Sequence, residues 1–111
     1  MEISINAGDG ITIIGFAGKL DGISSQGAYD EIIPRVTCGC RLIFDMNECV
    51  YISSAGLRIL LMLGKLIKKN GGQGVMSNLS EEVQDVMEMT GFDHIFKNYP
   101  TNDEAIAAIK D

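Results

Sequence analysis

The chain has no tryptophan, a single histidine and no apolar run long enough to cross a bilayer. Each shortage removes a class of function. Without 18 uninterrupted apolar residues no transmembrane helix is expected, so the membrane is not an expected partner. The opening residues MEISINAGDG carry neither a positively charged start nor an apolar segment behind it, so no secretory signal is expected. The expected location is therefore cytoplasmic. Positive charge is also scarce. A net charge of −6 repels the phosphates of nucleic acid and the anionic face of membranes, and suits a basic partner surface or plain solubility. The three cysteines, Cys38, Cys40 and Cys49, are an odd number and no disulfide framework. With His94 they would make four zinc ligands, but their spacings match no common zinc pattern, so reduced thiols and no bound metal are expected. No repeats, low-complexity tracts or linkers divide the chain.

What is present is enough for one core. At 111 residues, 46% of them apolar, the chain is read as one domain over residues 1–111 that buries roughly two thirds of its unfolded surface. The sequence is organised around Arg41–Lys69. A short apolar run, Leu42-Ile43-Phe44, is closed by Asp45 and predicts a strand over Arg41–Asp45. Met46-Asn47-Glu48-Cys49 reads as a polar loop. Val50-Tyr51-Ile52 leads to Ser53 and Ser54, where a long helix begins. Within it Leu57, Leu60, Leu61, Gly64 and Ile67 keep the 3.6-residue spacing of a buried face. Arg58, Met62, Lys65 and Lys69 form the opposite stripe, flanked by Ile59, Leu63 and Leu66. An apolar Met62 within a basic stripe suits either cover by neighbouring elements or a partner contact made with Ile59 and Leu63.

Before this unit, Glu2–Asn6 alternates in polarity and Ile11–Ala17 is rich in β-branched residues, with turn chemistry between them, which predicts a hairpin. Gly18-Lys19-Leu20-Asp21-Gly22 is expected to break the second strand. Ser24 or Ser25 then caps a helix that Pro34 ends. After the long helix, Asn70-Gly71-Gly72 is a stop and Gly74-Val75-Met76 a short strand. Ser80 caps a helix that Gly91 ends. Ile95-Phe96 is a possible edge strand, and Thr101-Asn102-Asp103-Glu104 is a capping box for a final helix. Strands separated by helices imply right-handed crossovers, hence an α/β fold whose mixed sheet is mostly parallel, with an antiparallel edge hairpin and helices packed around it.

The candidate chemistry lies where the strand feeds the helix, because free backbone N–H groups and the positive end of the dipole meet there. A serine in that place is either a cap or a phosphate site. A capping box wants Glu or Gln three residues on, and Gly56 and Leu57 stand there instead. Gly56 lets another chain approach the backbone closely. As a hydrolase nucleophile, Ser54 has only the second half of a G-x-S-x-G elbow, and His94 is the sole histidine base on offer. Gly71-Gly72-Gln73-Gly74 precedes a strand and has no Lys-Ser/Thr pair, so it is no phosphate-cradling loop. Asp21 and Asp45 lack a catalytic partner motif. They make more sense as acidic neighbours of a phosphorylatable serine.

Gly18-Lys19-Leu20-Asp21 after a hairpin, Leu42-Ile43-Phe44-Asp45-Met46 at a strand end, and Tyr51-Ile52-Ser53-Ser54-Ala55-Gly56-Leu57 opening a helix resemble the STAS domain. More narrowly, they resemble the bacterial anti-sigma factor antagonists, over the whole chain. The resemblance implies that Ser54 is phosphorylated by an anti-sigma factor that is also a serine kinase, and that a phosphoserine phosphatase reverses this. It implies a regulatory protein that is not an enzyme and holds no cofactor. That family usually has Asp where this chain has Ser53, Ser or Thr where it has Ala55, and Glu where it has Lys19. The expected partner surface comprises Asp21, Gly22, Ser24, Ser53, Ser54, Ala55, Gly56, Arg58, Ile59 and Met62. A STAS module in another signalling scaffold or a transporter-linked assembly, with Ser54 only a cap, is the first alternative. A small serine hydrolase is the second.

Overall fold

A computed structural model describes residues 1–110. The chain builds one five-stranded sheet in sequence order: β1 (Glu2–Gly8), β2 (Ile11–Leu20), β3 (Arg41–Ile52), β4 (Gln73–Ser77) and β5 (Lys97–Tyr99). β1 and β2 pair antiparallel through a turn at Asp9-Gly10, and every other pair is parallel. Four helices complete the fold: α1 (Ser25–Ile32), α2 (Ser54–Lys69), α3 (Glu81–Thr90) and α4 (Asn102–Ile109).

The sheet is covered on both faces, and alternation along β3 shows how. Leu42, Phe44 and Met46 face a core shared with Ala28 and Ile32 of α1, Leu60 and Leu63 of α2, and Val83 and Met87 of α3. Ile43 faces the other way and meets Ala105 and Ile109 of α4, with Ile11 and Val75 beside it. Phe44 anchors the larger core, edge-to-face with Phe16 at 5.8 Å and with Phe96 at 5.3 Å between ring centroids.

Four expectations are corrected. β2 is not broken at Gly18 but runs through to Leu20. Gly18 adopts φ +109°, which a β-branched residue would resist, so the glycine lets the strand continue through an irregularity. β3 is one strand of 12 residues, with no loop at 46–49. Its pairing with β2 slips twice. Phe16 alone stands opposite Met46 and Asn47, and Val50 is inserted between the partners of Gly18 and Lys19. These bulges turn strict alternation into a repeat of three: Met46 buried, Asn47 and Glu48 exposed, Cys49 buried, Val50 and Tyr51 exposed, Ile52 buried. A pattern of that period imitates a polar loop in the sequence. The last short strand is Lys97–Tyr99, after Ile95-Phe96, because Phe96 turns inward as core. The buried face of α2 is also rotated from the expected one. Ile59, Leu60, Leu63 and Ile67 are buried, while Leu57, Leu61 and Gly64 are only partly covered.

Candidate functional site

β2 and β3 end side by side, with Leu20 opposite Ile52, and the Ser53 N–H donates to the Leu20 carbonyl at 2.9 Å. This pairing brings the turn after β2 against the start of α2. The two serines then divide the roles that the sequence left open. Ser53 has extended backbone angles, and its Oγ accepts the Gly56 N–H at 3.3 Å, so Ser53 is the cap. Ser54 is the first residue of the helix. It is exposed, and among the described residues its hydroxyl has no hydrogen-bond partner. It stands at the positive end of a 16-residue helix.

The Asp21 turn is held from within. Asp21 Oδ1 accepts the Ile23 N–H at 3.0 Å and the Ser24 N–H at 3.1 Å. Ser24 Oγ accepts the Asp21 N–H and donates to the Lys19 carbonyl at 2.6 Å. The Ser24 amide, and after it the Ile23 amide, holds the Asp21 carboxyl below the usual carboxylate range. Asp21 is thus a turn aspartate, its charge fixed beside the Ser53–Ser54 step. Gly22 is exposed on the same turn, and Ser24 is partly buried.

Along α2, Ser54, Arg58 and Met62 follow one another at four-residue spacing and are all exposed, Met62 at 42%. Ala55 is partly covered. Two expected contact residues are corrected. Ile59 is 6% exposed and belongs to the core, because α2 is flanked by both α1 and the sheet and buries a wide face. Gly56 is buried too. A Cβ there would lie 2.5 Å from the Leu20 carbonyl oxygen, so the close approach it permits is that of the protein's own β2.

Asp45 does not join the Ser54 loop. It lies on the α4 side, seven positions before Ile52 and so on the order of 20 Å along the strand. There it accepts from Asn78 Nδ2 at 3.0 Å and Asn102 Nδ2 at 3.1 Å, tying β3 to the turn after β4 and to α4. His94 sits in the turn after α3, 87% exposed, 3.9 Å from Asp93. Among the described residues it makes no hydrogen bond with Ser54. Burial raises the Cys49 thiol above its ordinary pKa, which leaves it a poor nucleophile at neutral pH.

Sequence reasoning missed Ile23, which is 95% exposed in the Asp21 turn, and Val50 and Tyr51, exposed at 60% and 52%. Ile23 carried a readable signal, since it precedes the Ala28–Ile32 face of α1 and fits neither that helix nor β2. Val50 and Tyr51 carried none, because their exposure comes from the bulge.

The STAS domain family model matches residues 2–105. The chain belongs to the STAS domain family. BtrV of Bordetella bronchiseptica, which bears the name of an anti-sigma factor antagonist, is 31% identical over 99% of this chain and 96% of its own. The crystal structure of TM1081 from Thermotoga maritima superposes with a TM-score of 0.89 at 18% identity, over 98% of this chain and 95% of that one. SpoIIAA of Bacillus, named an anti-sigma factor antagonist, superposes with TM-scores of 0.74 unphosphorylated and 0.73 phosphorylated, at 16% identity. The superpositions cover 98% of this chain in both cases, and 98% and 100% of the SpoIIAA chains. At that identity the structures establish the shared fold. The likeness to anti-sigma factor antagonists is carried by BtrV.

Proposed function

We propose that this chain is a cytoplasmic anti-sigma factor antagonist that works by exchanging partners. Its unphosphorylated form binds an anti-sigma factor that is also a serine kinase, and the bound sigma factor is released. The kinase phosphorylates Ser54, the complex separates, and a phosphoserine phosphatase restores the binding form. The observation that carries this reading is the division of labour at the start of α2. Ser53 satisfies the helix end, and Ser54 stays exposed and unbonded beside it.

A phosphate on Ser54 brings about −1.5 to −2 charges to a helix N-terminus, where backbone N–H groups tolerate them. The fold therefore has no reason to change. SpoIIAA is in keeping with this, since its unphosphorylated and phosphorylated forms each superpose on the fold of the present chain. The effect falls on the partner. A partner carboxylate at about 4 Å would be repelled by roughly 4 kcal/mol at an effective dielectric near 20, about three decades of affinity. Arg58, one turn along, offsets part of this but carries a single charge. Rejection at the interface, with the fold intact, is then sufficient for a switch.

The test is phosphotransfer. Incubated with the cognate kinase and ATP, the protein should gain one phosphate on Ser54, and Ser54→Ala should gain none. Met62→Glu, on the same stripe, should weaken the complex at least tenfold with the melting temperature unchanged. Phosphate found on Ser53 by mass spectrometry would overturn the assignment.

A further inference from the structure

β3 outruns the strand beside it. Its last register pair with β4 is Asp45 with Ser77, yet β3 continues to Ile52. Over 46–52 it pairs with β2 on one side, from Ala17 to Leu20. On the other side, among the described residues, no strand lies against it and no hydrogen bond reaches its backbone from another element, although the Asn47 N–H donates to Asp45 Oδ1 at 3.0 Å within β3 itself. In a strand with one partner, about half of the backbone N–H and C=O groups point away from that partner. This edge has no lysine or proline, and its guards are Glu48 and the two bulges, at Met46–Asn47 and at Val50. It carries Val50, 60% exposed, and Tyr51, 52% exposed, both of them residues suited to strand pairing.

A groove of about 480 Å³ runs between this edge and the start of α3. Asn47, Cys49 and Val50 form one wall. Ser80, Glu81, Glu82 and Asp85 form the other. The three acids are exposed, and among the described residues none is in an ion pair. Together the groove offers a backbone template, one exposed apolar side chain, Val50, and an acidic wall.

We propose that this groove is a second docking surface, which takes an extended segment of a partner protein as an added strand along 46–52. The segment alternates Lys or Arg with β-branched or aromatic residues. Its backbone pairs with β3, its cations meet Glu81, Glu82 and Asp85, and its apolar side chains cover Val50. A second copy of this chain is the wrong occupant. Pairing the edge with itself about a two-fold axis would bring Glu48 and the acidic wall of both copies together. The surface does not depend on the Ser54 reading, since it uses neither Ser54 nor the α2 stripe.

The test uses the full chain and an eight-residue capped peptide alternating Arg or Lys with Val. Amide hydrogen exchange should slow at least tenfold within 46–52 when this peptide saturates. A peptide with Glu in place of the cations should give no protection, and N-methylation of alternate amides should abolish it. Glu81→Gln, Glu82→Gln and Asp85→Asn together should weaken binding at least tenfold. Val50→Lys should do so by placing a cation in the groove, which covers the case in which the triple variant folds poorly. Ser54→Ala should leave binding unchanged, so loss of phosphotransfer and loss of peptide binding are separate results. Unchanged exchange over 46–52 at the highest peptide concentration would overturn the proposal. So would binding that survives N-methylation, or protection confined to the α2 stripe.

Discussion

Asp21 uses one carboxylate oxygen to hold two amides of its own turn, and among the described residues the other has no partner. It therefore has a structural role and a residual charge, and the two separate under substitution. Asn retains an oxygen for the Ile23 and Ser24 amides but loses the charge. Asp21→Asn should keep the melting temperature at neutral pH and bind the anti-sigma factor more weakly, with a flatter salt dependence. Asp21→Ala should melt lower. The pH dependence follows from the sign of the shift. The folded carboxyl titrates below its ordinary value of 3.8, so its contribution to stability is complete above that value and is lost as pH falls through the lowered one. Acid unfolding followed by circular dichroism should accordingly fall less steeply below about pH 4 for the Asn variant than for the parent. Equal salt slopes and equal affinities for parent and Asn variant would leave Asp21 as a turn residue only.

At the scale of elements, what the sequence made legible was the local chemistry of two helix ends. Ser80 and Thr101 each accept the amide three residues on, where a polar residue precedes a periodic run, whereas the sequence left the cap of α2 open between Ser53 and Ser54, and Ser24 at α1 makes no capping bond. The order of strands and helices was legible for the same reason, since turn residues separate the runs. The middle of β3 was not, because its two bulges are decided by pairing with β2 and leave only a loop-like polar pattern in the chain. Ile59 and Gly56 were misplaced because the width of a helix's buried face depends on how many neighbours flank it. That neighbour relation gives a prediction at Gly56. An added Cβ would meet the Leu20 carbonyl oxygen at 2.5 Å and Leu20 Cγ at 2.9 Å. Gly56→Ala should cost about 1–3 kcal/mol by pushing α2 off the β2–β3 seam, outweighing the gain of up to about 1 kcal/mol in helix propensity. Gly27 in α1 has nothing within 4 Å of such a Cβ. Gly27→Ala should thus stabilise by about 0.5–1 kcal/mol in urea unfolding. Stabilisation by both would remove the seam from the account.

At the scale of the whole molecule, the proposed recognition surface and the second core lie on opposite faces of the sheet. Ser54, Arg58 and Met62 stand on α2, over the face whose core runs through Phe44, Leu60 and Leu63. The opposite face is closed by α4, through Ala105 and Ile109 packed on Ile43 and Val75. No residue of the Ser54 surface belongs to that second core. Damage under α4 should therefore reach partner binding only by unfolding the whole domain, which at this size unfolds as a unit. Ile109 is 5% exposed, and Ile109→Ala should cost about 2–4 kcal/mol by leaving a cavity over Val75 and Ile43. For a domain of this length each kcal/mol corresponds to roughly 4–8 °C in melting temperature, so the loss is readily measured. Well below that lowered transition the variant should bind the anti-sigma factor with the parent's affinity and accept phosphate on Ser54 at the parent's rate. A variant that stays folded by near-ultraviolet dichroism yet binds tenfold more weakly would mean that the sheet transmits strain from α4 to the start of α2. The Asp45 cluster, which ties β3 to Asn78 and Asn102, would be the first place to look for that coupling.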